Sequence, residues 1–185
     1  MRHSNQTGGL LVLGLGNVLC ADDGVGAAAV ARLQRCFVAP SSARVLDGGT
    51  LGLSLLPYLE DAEDVILIDA VREDRLPGTL IRLCGDEVGP AVESRLSVHQ
   101  VGVADLLSGL DLLGRSPRRI VLWGIVPSTL QLGLGRSAVV EANLPALVSR
   151  VVDEARLMGY DFAPRCPNEV DLAGSRGDVA RVLGL

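Results

Sequence analysis

The sequence contains no lysine, and all 17 of its basic residues are arginine. This absence excludes a Schiff-base lysine, a serine–lysine catalytic pair and the lysine of a phosphate-binding P-loop. With 22 acidic residues the formal net charge is −5, and the arginines form no cluster that would neutralise a phosphate backbone. Nucleic acid is therefore not expected as a partner.

Aromatic residues, paired cysteines and long apolar runs are also scarce. Aromatics make up 3% of a chain that is 48% hydrophobic, so the core must be built from aliphatic side chains. The cysteines Cys20, Cys36, Cys84 and Cys166 form no CxxC pair, which favours reduced thiols over a disulfide framework. No apolar stretch approaches the roughly 18–20 residues that cross a bilayer, and no signal peptide precedes the first strand-like run. We expect a cytoplasmic protein without a membrane partner.

The hydrophobic pattern alternates strand-like and helix-like segments along the 185 residues. Strands are predicted at 10–15, 43–46, 64–71, 79–84 and 119–126, and helices at 24–37, 51–59, 98–113 and 138–158. The alternation predicts an α/β fold with a mostly parallel, twisted sheet between two layers of helices, and with 79–84 antiparallel or at an edge. We assign residues 1–160 to one domain and residues 161–185 to a C-terminal tail with little predicted order.

The segment between the first strand and the first helix, GLGNVLCADDGVG at 14–26, contains two adjacent aspartates. Its GxG start is typical of a dinucleotide fingerprint, but Leu19 stands where the third glycine should be, and two carboxylates lie where a pyrophosphate would bind. One aspartate is explained by capping the helix that follows, and we assign that role to Asp22. Asp23 is then left for metal ligation or acid–base chemistry, while a purely structural role for both stays open.

Two further aspartates follow predicted strands at their carboxyl ends. Asp69 ends an unbroken apolar run, at the place where open α/β sheets position their ligands. Asp47 occupies the equivalent position after the second strand, although the glycines behind it are equally typical of a turn. His99, one of only two histidines, lies at the start of the helix predicted at 98–113 and could also be purely structural. With Asp23 and Asp69, His99 completes a set of two carboxylates and one imidazole, which suits a borderline divalent ion such as Zn²⁺ or Ni²⁺.

Other catalytic arrangements find little support. There is no HExxH zinc motif, and the segment around Ser54 lacks the second glycine of a nucleophile elbow. A pair of Cys20 and His99 is conceivable, but the apolar neighbours of Cys20 do little to activate a thiol.

Six short segments together resemble the hydrogenase maturation proteases. They are 14–26 (GLGNVLCADDGVG), 46–52 (LDGGTLG), 67–70 (LIDA), 77–79 (PGT), 97–108 (SVHQVGVADLLS) and 124–127 (GIVP). Their order and spacing are kept over about the first 155 residues. This family consists of endopeptidases that remove a C-terminal peptide from the large-subunit precursor of nickel–iron hydrogenases.

The resemblance implies an α/β/α sandwich around about five strands and a metal-binding trio of Asp23, Asp69 and His99. Family members carry Glu or Asp at the first of these positions, and they place Asp47 in a loop associated with substrate recognition or catalysis. The implied partner is the [NiFe]-hydrogenase large-subunit precursor, which is cleaved after nickel has been installed. The sequence does not reveal the oligomeric state, for which a monomer is the expectation. Nickel would then arrive with the substrate, and no organic cofactor is expected.

Two alternatives stay open on the sequence alone. The same Asp23, Asp69 and His99 could hold a resident metal in a peptidase or amidohydrolase. The protein could also be a maturation checkpoint that binds the metallated precursor without cutting it.

Overall fold

A computed structural model describes residues 8–93 and 103–165 of the chain. The strands are β1 (Gly9–Leu15), β2 (Phe37–Val38), β3 (Ala43–Gly49), β4 (Ala62–Ala70), β5 (Leu80–Cys84), β6 (Arg119–Ile125) and β7 (Ala163–Pro164). The α-helices are α1 (Val25–Cys36), α2 (Leu56–Glu60), α3 (Val88–Glu93), α4 (Val103–Leu112) and α5 (Ala138–Leu157). Short 3₁₀ turns at Ala21–Gly24, Gly52–Leu55 and Gly85–Glu87 precede α1, α2 and α3.

The predicted strands are confirmed, with ends that differ by a few residues. The helices predicted at 24–37 and 138–158 are confirmed as α1 and α5, and the helix at 51–59 is a 3₁₀ turn followed by α2. The helix predicted at 98–113 is confirmed from residue 103 onward as α4, while 98–102 lies outside the described residues. The sequence did not predict α3 or the short strands β2 and β7.

Five strands form the central sheet in the order β3-β1-β4-β6-β5. The pairs β1–β3, β1–β4 and β4–β6 are parallel, whereas β5 runs antiparallel to β6 at one edge. The prediction of a mostly parallel sheet is thereby confirmed. The segment predicted as antiparallel or at an edge is β5, which is both antiparallel and at the edge of the sheet. All the parallel strands end at one edge of the sheet, which is called the carboxyl edge below.

Each face of the sheet carries its own aliphatic cluster, because successive residues of a strand point to opposite faces. On one face Leu10 and Val12 of β1 belong to a cluster with α1 and α5. On the other face Leu11 and Leu13 of the same strand belong to a cluster with α2, α3 and α4. The three-layer α/β/α arrangement is thereby confirmed, and the unbroken aliphatic runs of β1 and β4 are explained by burial on both sides.

The tightest backbone packing in the described helices and strands lies where α1 begins. A Cβ added at Gly14 would lie 2.4 Å from the carbonyl oxygen of Gly26. A Cβ added at Gly26 would lie 2.1 Å from the carbonyl oxygen of Leu15 and 2.6 Å from that of Ile68. Since no side chain fits there, only glycine allows the first turn of α1 to lie against both β1 and β4.

A buried carboxylate lies at the amino edge of the sheet, which is opposite the carboxyl edge. Asp64 of β4 is fully buried and accepts hydrogen bonds from Arg118, Arg119 and the Tyr160 hydroxyl, the last at 2.9 Å. Burial by itself would raise the pKa of Asp64, but these hydrogen bonds outweigh it and lower the pKa from 3.8 to about 2. The charged carboxylate therefore ties the start of β4 to the start of β6 and to the chain just after α5.

The chain after α5 continues to pack against the domain. Phe162 is buried in the same cluster as α1 and α5, and β7 pairs antiparallel with β2. Residues 166–185, most of the segment predicted as a tail, lie outside the described residues. Within 8–93 and 103–165, no helix is long and apolar enough to cross a membrane.

We expect Gly26→Ala to destabilise the fold by about 3 kcal/mol, because the new methyl group would overlap the backbones of β1 and β4. The matched control is Gly109→Ala in α4, where an added Cβ meets no described atom within 4 Å and helix propensity favours Ala by about 0.5–1 kcal/mol. Urea denaturation of both variants measures the difference. Equal stability of the two variants would contradict the packing argument.

Candidate active site

Three aspartates lie at the carboxyl ends of neighbouring strands. Asp47 of β3 is the register partner of Gly14 in β1, and Gly14 is also the partner of Ile68 in β4. Asp69 follows Ile68 directly, and Asp23 lies in the 3₁₀ turn that links β1 to α1. The fold therefore gathers Asp23, Asp47 and Asp69 at the carboxyl edge of β3, β1 and β4, as the sequence predicted for strand-end residues.

Asp69 is the more deeply buried of the two predicted metal-binding carboxylates. Its exposed fraction is 2%, and its Oδ1 accepts a hydrogen bond of 2.9 Å from the backbone N–H of Ala70. A buried carboxylate is costly unless donors or a cation compensate its charge. Its place at the end of the apolar run 65–68 of β4 is therefore typical of a site residue.

Asp23 is half-buried and lies under a tight loop. Its Oδ2 accepts a hydrogen bond of 2.7 Å from the N–H of Asn17. Gly16 has a φ of +112°, and a Cβ there would lie 1.8 Å from the backbone oxygen of Asp23. The backbone of the GxG segment therefore lies directly against the acidic turn.

The start of α1 connects Asp23 to the end of β4. Gly26, three residues after Asp23, packs against the carbonyl oxygen of Ile68, the neighbour of Asp69. The free N–H groups at the start of a helix create a positive potential that favours nearby carboxylates in their charged form. Both aspartates thus flank the same helix end.

Asp47 is exposed, and its geometry supports the turn-forming role. Its Oδ1 accepts a hydrogen bond of 3.0 Å from the N–H of Gly49, a residue with a φ of +43°. An aspartate that bonds the backbone two residues ahead is a common way to stabilise such a turn. A further role of Asp47 toward substrate stays a prediction.

The third member of the predicted metal trio, His99, lies outside the described residues. Among the residues that the structure describes, no three His, Cys, Asp or Glu side chains form a group that could hold a metal ion. Asp23, Asp47 and Asp69 do not suffice by themselves, and the trio with His99 stays a prediction. Cys20 is a half-buried free thiol beside this site.

The prediction that Asp22 caps α1 is wrong. Gly24 occupies the N-cap position of α1, and no side chain caps that end. Asp22 is instead fully buried and accepts hydrogen bonds from the N–H groups of Ser128, Thr129 and Ser137 and from the Ser137 hydroxyl, at 2.6–3.1 Å. It therefore anchors the loop between β6 and α5.

Through its hydrogen bonds with Ser137, Asp22 stabilises the start of a different helix, α5. Ser137 is the N-cap of α5, and its side chain accepts a hydrogen bond from the N–H of Val140. Burial by itself would raise the pKa of Asp22, but the donors from Ser137, Thr129 and Ser128 outweigh it and lower the pKa below 3.8. The carboxylate is therefore charged at neutral pH, where the N-terminal end of α5 favours it.

The anchored loop also holds the acidic turn in an unfavourable backbone conformation. Ala21 has a φ of +47°, which is the one positive φ among the described non-glycine residues. Its N–H donates to the carbonyl oxygen of Gly133 at 2.9 Å, and the N–H of Asp22 donates to that of Thr129. Such strain persists only where surrounding contacts impose it, and it is concentrated at functional sites.

One signal for this anchor is present in the sequence. Ser137 stands directly before the apolar periodicity of α5, as an N-cap residue should. Nothing local to Asp22, however, indicates a partner 115 residues further along the chain.

Asp22→Asn should destabilise the protein by about 3 kcal/mol, because its amide NH₂ would face N–H donors that now bind a carboxylate oxygen. In this variant, hydrogen exchange of the Ser128 and Ser137 backbone amides should accelerate more than exchange of the amides in the hydrophobic core. The control is Asp61→Asn, whose exposed 3.6 Å ion pair with Arg44 should contribute less than about 0.5 kcal/mol. Unchanged protection of both serine amides in the Asp22 variant would refute the anchoring role.

Comparison with known proteins places the chain and its fold in one family. The family model described as "HycI: Hydrogenase maturation protease" matches residues 27–154. The Hydrogenase 2 maturation protease of Escherichia coli is 34% identical over 157 residues, covering 84% of this chain and 96% of that protein. The hydrogenase expression/formation protein HupD of Rhodobacter capsulatus is 39% identical over 155 residues, covering 82% of this chain and 73% of its own length.

Solved structures agree with this relationship. The hydrogenase maturating endopeptidase HybD from Escherichia coli superposes with a TM-score of 0.80 at 34% identity, covering 85% of this chain and 98% of that one. The [NiFe] hydrogenase maturation protease HybD from Thermococcus kodakarensis gives a TM-score of 0.60 at 28% identity, with 80% and 99% coverage. The chain is a peptidase that belongs to the hydrogenase maturation protease family.

Proposed function

We propose that this protein removes the C-terminal peptide of a nickel-loaded [NiFe]-hydrogenase large-subunit precursor, and that Asp23, Asp69 and His99 recognise the nickel of that substrate. Membership of the maturation protease family supports the reaction and the class of partner. The placement of Asp23 and Asp69 supports the mode of recognition. The cytoplasm as the place of action and a monomeric state stay predictions from the sequence.

The observation that carries the proposal is the pair of carboxylates on either side of the first turn of α1. Asp69 projects from a buried strand end, and Asp23 lies in the turn that Gly26 presses against the same strand. Two carboxylates and one imidazole leave coordination positions open, so they suit a metal that keeps ligands of its own. A nickel ion held by the precursor meets that requirement, because it brings cysteine ligands with it.

The reaction is the addition of water across one peptide bond of the precursor. The bond between carbonyl carbon and nitrogen breaks, which leaves a carboxylate on the large subunit and a free amine on the released peptide. Contacts of Asp23 and Asp69 with the substrate's nickel would fix the position of the scissile bond, and orientation of this kind lowers the barrier substantially. A carboxylate of the pair would accept the proton of the attacking water.

Asp47 has a supporting place in this proposal. It lies at the end of β3, one strand away from Asp23, and its side chain is exposed at the carboxyl edge. Its carboxylate stabilises the turn at Gly49, and the same turn is available to contact the backbone of the incoming peptide.

Nickel dependence of cleavage is the first test. We expect the purified protease to cut nickel-loaded precursor and to leave nickel-free precursor intact, with mass spectrometry identifying a single released C-terminal peptide. Equal cleavage of both precursors would disprove nickel recognition. Stoichiometric zinc or nickel in the purified protease would favour the alternative of a resident-metal peptidase.

The two carboxylates are tested by isosteric replacement. We expect Asp23→Asn and Asp69→Asn each to lower kcat/KM by about 100-fold or more, because both remove a charge that acts at the reacting site. Asp61→Asn at the amino edge serves as the matched control and should retain wild-type activity. Circular dichroism and urea denaturation separate loss of chemistry from loss of fold.

Binding measurements distinguish the remaining alternative. A folded Asp23→Asn variant that binds nickel-loaded precursor but does not cut it would show that the wild type is a protease and that the substitution damages its active site. Wild-type protein that binds the precursor and never releases a peptide would instead identify a non-cleaving checkpoint.

A further inference from the structure

Several of the exposed large apolar side chains lie in the loops at the carboxyl edge, around the aspartates. Val18 and Leu19, in the loop after β1, are 54% and 55% exposed. Leu132 and Leu134, in the loop after β6, are each 86% exposed. Single exposed apolar residues are ordinary, but a group beside a site marks an interaction surface. These four residues are called the apolar rim below.

The two loops of the apolar rim are joined by backbone hydrogen bonds. Gly133 donates to the carbonyl oxygen of Leu19 and accepts from the N–H of Ala21, both at 2.9 Å. Cys20 and Gly133 are partners in an isolated parallel bridge. The bridge and these hydrogen bonds hold the two loops side by side, so the exposed leucines that flank it belong to adjoining loops rather than to separate parts of the surface.

The loops that carry the apolar rim contain no charged residue up to the acidic turn. Residues 14–21 and 124–135 are uncharged in a chain of which 21% is charged, and so are residues 48–59 after β3. Leu51 and Leu53 in that third loop are 58% and 60% exposed. Depletion of charge around exposed aliphatic side chains is typical of the centre of a protein interface.

The apolar rim is continuous with Asp23. The Asp23 carboxylate accepts the N–H of Asn17, and the side-chain oxygen of Asn17 accepts the N–H of Leu19 at 3.0 Å. On the other side, Asp22 fixes the loop that carries Leu132 and Leu134 through Ser128, Thr129 and Ser137. The apolar rim therefore directly borders the site beside Asp23.

We propose that the apolar rim is the docking surface for an uncharged, apolar segment of the precursor that flanks the scissile bond. This inference rests on the proposed function, because it identifies the occupant by continuity with the site where that bond is positioned. An acidic segment would be repelled by Asp23 and Asp69, and a charged segment of either sign would find no ion-pair partner on the loops themselves, because residues 14–21 and 124–135 are uncharged. Burial of aliphatic side chains on the rim supplies affinity independently of the nickel.

The test compares two doubly substituted variants of the full-length protease. Leu132→Ser with Leu134→Ser removes half of the apolar rim, and high exposure means that the fold loses few contacts. Leu112→Ser with Leu157→Ser is the matched control, since these leucines are 90% and 80% exposed and lie at the ends of α4 and α5 near the amino edge. Cleavage kinetics and the Kd for nickel-loaded precursor are measured for both variants and for the wild type.

We expect the rim variant to raise KM and Kd about tenfold or more while kcat changes less than about twofold. The control variant should match the wild type. Equal Kd values for the rim variant and the wild type would overturn the inference. The inference would also be overturned if the wild type were a dimer that only the rim substitutions dissociate, and if these substitutions left precursor binding unchanged. The occupant of the apolar rim would then be a second copy of the chain.

The outcomes also separate this inference from the proposed function. Wild-type protein that binds precursor without cutting it, together with a rim variant that loses binding, would support the docking surface and refute the proposed cleavage. Wild-type protein that cuts precursor, together with a rim variant of unchanged KM, would support the proposed cleavage and refute the docking surface. Absence of any binding by the wild type would overturn both.

Discussion

The first turn of α1 lies against the backbones of β1 and β4 because neither Gly14 nor Gly26 carries a side chain. This close approach seats the helix on the sheet and brings the acidic turn before it to the end of β4. Asp23 and Asp69 come from separate elements, and their common position depends on that contact. A single methyl group at Gly26 would therefore disturb the core and the candidate site together, since the same backbone atoms serve both.

The adjacent aspartates have different tasks, and burial decides between them. Asp22 is fully buried and its carboxylate is surrounded by donors from a distant loop, so it orders the chain between β6 and α5. Asp23 is half-buried and faces the carboxyl edge. Holding Ala21 at a φ of +47° costs free energy that the Asp22 anchor and the pairing with Gly133 offset. The turn is thereby preorganised before any substrate arrives.

The carboxyl edge combines an acidic interior with an uncharged, aliphatic border. This division fits the proposed function, in which the substrate is a precursor protein that carries nickel. The carboxylates are suited to a cation, and the apolar rim is suited to the polypeptide beside it. Discrimination would then come from the metal, and much of the affinity would come from burial of apolar surface.

The sequence by itself determined the five strands of the central sheet and the longer helices, because buried parallel strands require unbroken aliphatic runs and helices require a different period. It also determined that Asp69 and Asp47 stand at strand ends, and its short motifs indicated the family. Only the tertiary structure decided the strand order, the anchoring role of Asp22 and the bridge between Cys20 and Gly133. Helix capping is a local signal that sequence patterns record, whereas Asp22 bonds a residue 115 positions away. Contacts of that kind depend on how layers pack, and no local pattern specifies them.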